Sequence, residues 1–63
     1  MLENDLVLSR FLARRGGSLT GDELAALDVL LELSDNDLWE IISGQTEPAD
    51  AALVPLVAQL RAA

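Results

Sequence analysis

Sixty-three residues make room for one small domain, residues 1–63, and a chain of this length buries only about 60% of its unfolded surface. Cysteine and histidine are both absent, which removes disulfides, the common zinc ligand sets, thiol nucleophiles and the usual near-neutral general base. Eleven carboxylates against four arginines give a net charge of −7, a balance that repels nucleic-acid backbones and anionic lipid surfaces. The sequence therefore reads as a non-enzymatic, cytoplasmic protein that does not insert into membranes, with enough apolar residues (51%) to fold.

The first helix is predicted from Leu2, Leu6, Val7, Leu8, Phe11 and Leu12, which recur at helical spacings. It is expected to stop at Arg14-Arg15-Gly16-Gly17, where cations suit the helix C-terminus and glycine suits a left-handed cap. Its apolar positions cover most of the circumference, leaving a polar stripe of Glu3, Arg10 and Arg14 and a smaller one at Asp5 and Ser9. Such a helix needs covering on several sides.

Thr20-Gly21-Asp22-Glu23 has the form of a capping box and opens a second helix, with Leu24, Leu27, Leu30 and Leu31 as its predicted apolar face and an end near Leu33. Ser34-Asp35-Asn36-Asp37 is a further capping cluster. It starts a short third helix whose stripe is Leu38, Ile41 and Ile42 and which Gly44 closes. Gln45-Thr46-Glu47-Pro48 is a turn, after which Asp50 is placed to cap a helix with the face Leu53, Leu56, Val57 and Leu60. Pro55 falls too far into that helix to be comfortable, so an irregularity or a later start is expected around Val54. No strand-like alternation interrupts this pattern, and the connections are short. The fold class is all-α, a small antiparallel helical bundle of four helices.

Few residues point to chemistry. Asp35-Asn36-Asp37 opens like a calcium loop, but Trp39 and Glu40 stand where an oxygen ligand and a glycine are required, so helix capping is the better reading. Arg14-Arg15-Gly16-Gly17-Ser18 follows a helix instead of opening one, and the helix dipole there opposes a bound anion. Trp39 beside Leu38, Ile41 and Ile42 reads as core or core edge. Glu3 lies among large apolar side chains on a helix that needs covering, which leaves a contact with a partner open, but composition alone favours ordinary solvent exposure or a local interaction with the arginine stripe.

The string Leu-Leu-Glu-Leu-Ser-Asp-Asn-Asp-Leu-Trp-Glu-Ile-Ile-Ser-Gly at residues 30–44, continued by Glu47-Pro48-Ala49-Asp50 and Leu53, resembles the SdhE family, also called succinate dehydrogenase assembly factor 2. The likeness extends through Arg10-Phe11-Leu12, Leu19-Thr20 and Glu23-Leu24, so it covers the whole chain as many modest matches. It implies a role in binding the flavoprotein subunit of succinate dehydrogenase or fumarate reductase and promoting its covalent flavinylation. FAD would belong to that client, and no cofactor or metal would be bound by this chain.

The family's hallmark is an Arg-Gly-x-x-Glu motif often continued as Met-x-Glu-x-Asp. Met1, Glu3 and Asp5 match its end and are the implied partner-binding residues. The arginine and glycine would stand immediately before Met1, and the family's five-helix fold would here lack its first helix. Arg15-Gly16 is no substitute, because Leu19 stands where glutamate is required. The expectation is a start at an internal methionine, with a naturally shortened form as the alternative, and self-association through the exposed first helix. The rival functional reading is an acidic antitoxin-like protein that neutralises a basic partner.

Overall fold

The computed structural model describes all residues, Met1–Ala63, and contains four α-helices and no strands. In chain order these are α1 (Leu2–Arg15), α2 (Gly21–Leu31), α3 (Asp35–Ile42) and α4 (Val54–Ala62), with single 3₁₀ turns at Gly16–Ser18 and Ala51–Leu53. α1 packs against α3 and α4, and α4 also carries α2 and the 3₁₀ turn that precedes it.

Phe11, Leu27, Leu30, Leu38, Ile42, Leu53, Leu56, Val57 and Leu60, with Ala26, form one contiguous core to which every helix contributes. Val7, Leu8, Leu19, Leu33, Trp39 and Ile41 pack around it, so Trp39 lies at the core edge as its neighbours in sequence suggested.

The helix boundaries have local causes. Thr20 and Glu23 form the complete capping box: the Glu23 amide donates to Thr20 Oγ1 at 3.1 Å and the Thr20 amide donates to Glu23 Oε1 at 3.1 Å. Ser34 caps α3 by accepting from the Asp37 amide at 3.2 Å. α3 ends in a Schellman arrangement, with Gly44 at φ 87°, its amide donating to Ile41 O and the Gln45 amide to Glu40 O. A side chain at Gly44 would be strained there, so glycine is required by the turn itself.

Three expectations need correction. α1 does not end in a left-handed glycine: Gly16 is right-handed, at φ −52° and ψ −35°, and the chain tightens into a 3₁₀ turn. Ser18 holds that turn, its hydroxyl donating to the Arg15 carbonyl at 3.1 Å and so satisfying one of the terminal acceptors of the helix.

α2 ends at Leu31, and its buried face is Ala26, Leu27 and Leu30; Leu24 and Leu31, predicted inside, are about half exposed. With apolar residues on every side of this helix, tertiary contact with α4 decides which face is covered.

Asp50 caps the 3₁₀ turn and not α4, its Oδ1 accepting from the Ala52 amide at 2.9 Å. α4 begins at Val54, which places Pro55 in the first helical turn, where its missing N–H costs nothing. The irregularity expected around Val54 is this break.

Candidate functional site

The first turns of α1 carry Met1, Glu3 and Asp5, and they are fixed to the bundle from below. Asn4 points inward on the Phe11 side of the helix and is 2% exposed. Its Nδ2 donates to the Asp35 carbonyl at 2.9 Å, at the first residue of α3. The Met1 ammonium donates to Asp35 Oδ2, also at 2.9 Å, so Asp35 holds the start of α1 through both backbone and side chain. That hydrogen bond holds the ammonium pKa above its ordinary 8.0, against partial desolvation, with smaller attractions from Asp35, Asp5 and Glu3. Asn4 Oδ1 is buried without a partner.

Above this anchor the helix turns Glu3 and Asp5 outward, and both are exposed. Neither side chain makes a hydrogen bond or ion pair within the chain, whereas Met1 is tied down. At about 100° per residue, Glu3 and Asp5 diverge to either side of a stripe formed by Leu2 and Leu6. Those leucines are 68% and 48% exposed. The three residues singled out in sequence are therefore gathered at one helix end but do not converge on a point. What they frame is a short apolar ridge with one carboxylate on each flank. Continuing along the Glu3 side, Arg10 and Arg14 are exposed. Leu12, on the Asp5 side, is 46% exposed.

Such a surface can accept hydrogen bonds and bury a modest apolar contact. It has no nucleophile and no paired carboxylates at short range. No group of three or more carboxylates lies close enough to hold a metal ion. The capping box also shapes what α2 can bind. The Glu23 amide is served by Thr20 and the Thr20 amide by the Glu23 carboxylate, and the two first-turn carboxylates of Asp22 and Glu23 make the charge there unfavourable to a phosphate.

Sequence reasoning missed two residue groups. The Asn4–Asp35 junction joins positions 31 apart and has one local signal, a lone amide at the inward stripe of Asn4, Phe11 and Arg15. The second group binds the other end of α1. Arg15 donates to Glu23 Oε1 at 3.0 Å and to Gln59 Oε1, and Gln59 Nε2 donates to Glu23 Oε2 at 3.1 Å. Glu23 is thereby held below the usual carboxylate range, first by the Thr20 amide, then by Gln59, with the Arg15 charge assisting. This clamp ties α1, α2 and α4 together, and α1 is fixed at both ends.

Comparison with known proteins identifies the family. The family described as "Flavinator of succinate dehydrogenase" matches residues 1–63. The FAD assembly factor SdhE of Ralstonia nicotianae is 42% identical over 57 residues, which cover 90% of this chain and 60% of that protein. Those of Methylococcus capsulatus and Legionella pneumophila are each 39% identical, over 98% and 97% of this chain and 75% and 76% of their own lengths. The chain thus spans between three fifths and about three quarters of the length of these curated relatives. No solved structure matches at a significant level. A match from the first residue to the last, with relatives this similar, means that the chain belongs to the family of succinate dehydrogenase flavinators.

Proposed function

We propose that this chain is an assembly factor that binds the flavoprotein subunit of succinate dehydrogenase, or of fumarate reductase, and promotes covalent attachment of FAD to it. The observation that carries the reading is the match of the whole chain to the flavinator family, whose relatives are named FAD assembly factors. Residues 1–63 act as one helical domain in the cytoplasm, without catalytic activity and without a cofactor of their own. No helix is long and apolar enough to cross a membrane. FAD belongs to the client.

Met1, Glu3 and Asp5 are the proposed contact residues. Glu3 supplies free carboxylate lone pairs on a helix fixed at both ends, suited to accept from backbone amides or an arginine of the client. Leu2 and Leu6 supply the apolar contact beside it. The client's own groups perform the chemistry, and the factor favours the reactive conformation. A few kcal/mol of difference in affinity between two client states is enough to shift their populations by a hundredfold or more. At high concentration the same leucines pair copies of this chain.

The test is in-gel flavin fluorescence of the denatured flavoprotein produced with no factor, with this chain, with its Glu3→Gln variant, and with a version carrying Arg-Gly and further residues before Met1. Labelling above the factor-free level with the chain or the longer version, reduced by Glu3→Gln, is the expected result. Labelling that stays at the factor-free level in every arm would overturn the reading. It would leave the acidic antitoxin-like role as the better account, to be recognised by salt-sensitive binding to a basic protein.

A further inference from the structure

We propose that the groove between α2 and the segment leading into α4 is a docking site for a basic amphipathic helix of a partner protein. It is a second surface, which no residue of α1 lines, and it stands independently of the flavinylation reading.

The groove has a volume of about 610 Å³. Ala25 and Ala52 keep its two walls low, and Val29 and Pro55 make it predominantly apolar. Val29 is 49% exposed although it sits on a helix whose other side fills the core. Asp22 stands on one wall and Asp50 on the other. Asp50 commits Oδ1 to the Ala52 amide and keeps its second oxygen, and Asp22 takes part in no ion pair.

Charge decides the occupant. None of the four arginines lines the groove: Arg15 and Arg61 are paired with Glu23 and Glu47, and Arg10 and Arg14 lie on α1. Glu23 also lines the groove but is paired with Arg15, so the charge left uncompensated from within the chain is that of Asp22 and Asp50, on a molecule of net charge −7. From Asp22 to Val29 the helical rise is about 10 Å, the length of two turns of a partner helix. An apolar floor of that length between two carboxylates matches a helix with an apolar stripe flanked by lysine or arginine. A small polar ligand is a poor fit, because the walls are open and offer no convergent donors.

The experiment is a nitrogen-15 NMR titration of the whole chain with a synthetic helical leucine–lysine peptide, repeated with glutamate in place of lysine. Saturable shifts confined to residues 22–29 and 50–56, seen with the lysine peptide alone, are expected. Ala25→Arg, at an exposed helical position that tolerates a long side chain, should weaken binding by about tenfold. Asp22→Asn should weaken it several-fold more than Asp28→Asn, the same charge change on the same helix outside the groove. Far-UV circular dichroism checks that each variant is folded. Shifts centred on α1, or equal losses for the two asparagine variants, would overturn the proposal, since either marks general attraction to an acidic protein.

Discussion

The Arg15 guanidinium sits 3.0 Å from Glu23 Oε1, and this contact joins the last turn of α1 to the first turn of α2 across the 3₁₀ turn between them. Glu23 is the shared member of two structures, the capping box with Thr20 and the clamp with Arg15 and Gln59. Its folded pKa is lowered from the ordinary 4.5, so its contribution to stability is fully present above that value and is lost as pH falls through the folded pKa. Glu23→Gln should lower the melting temperature at pH 7 and flatten the acid limb of the stability profile. Thermal unfolding followed by circular dichroism from pH 7 to pH 2 checks both. A variant that melts like the parent at pH 7 contradicts the clamp.

Leu30 and Leu31 are adjacent, chemically identical and oppositely placed, at 0% and 52% exposure. Leu30→Ala should cost about 3 kcal/mol, a large share of what a domain of this size possesses. Leu31→Ala should stay within about 0.5 kcal/mol of the parent. Urea denaturation of the two variants measures the difference directly.

That contrast marks where the sequence stops being legible. The four helices, the Thr20–Glu23 and Ser34 caps, the Gly44 stop and the break near Val54 all follow from residues within a few positions of one another, and each was readable. The buried face of α2 was legible only in part: Leu27 and Leu30 are buried as predicted but Leu24 and Leu31 are not, because leucine, valine and alanine surround the helix. Contacts such as Arg15 with Gln59, 44 positions apart, leave no local trace at all. At the candidate site the exposure of Glu3 was legible, since a lone carboxylate is ordinarily left in solvent. The anchor beneath it was not, since a single asparagine at position 4 gives no hint that Asp35 is opposite.

Asn4 lends itself to a separate test. Its Nδ2 is bonded to the Asp35 carbonyl, while its Oδ1 is buried without a partner. Asn4→Asp would set a buried carboxylate against that carbonyl and should destabilise by about 3 kcal/mol at pH 7. Asn4→Leu removes the orphaned acceptor together with the donor and should stay within about 1 kcal/mol of the parent. Urea midpoints of the two variants give the comparison, and similar losses in both would show that the amide bond itself holds α1 to α3.

Arg61 plays for α3 the part that Arg15 plays for α2. Its Nε donates to the Ile41 carbonyl at 2.9 Å, and its Nη2 donates to the Thr46 carbonyl and to Glu47 Oε2, each at 3.0 Å. Three acceptors on separate sides require the planar fork, which lysine lacks, so Arg61→Lys is not a conservative change. Amide exchange at residues 44–47 should accelerate in Arg61→Lys while exchange in α2 stays near the parent rate.

The α1 ridge gives the last prediction. Leu2 and Leu6 stand outward at 68% and 48% exposure, on the face away from Phe11, so a charge at Leu6 should leave the core intact. Leu6→Asp should melt within a few degrees of the parent, because surface changes away from the core move stability by about 0.5 kcal/mol or less. It should abolish any rise of mass with concentration in sedimentation equilibrium, and it should weaken client binding and flavin labelling together. On the proposed reading the two effects share a cause, the one apolar ridge between Glu3 and Asp5. Loss of self-association with labelling unchanged would separate them and place the client elsewhere on the molecule.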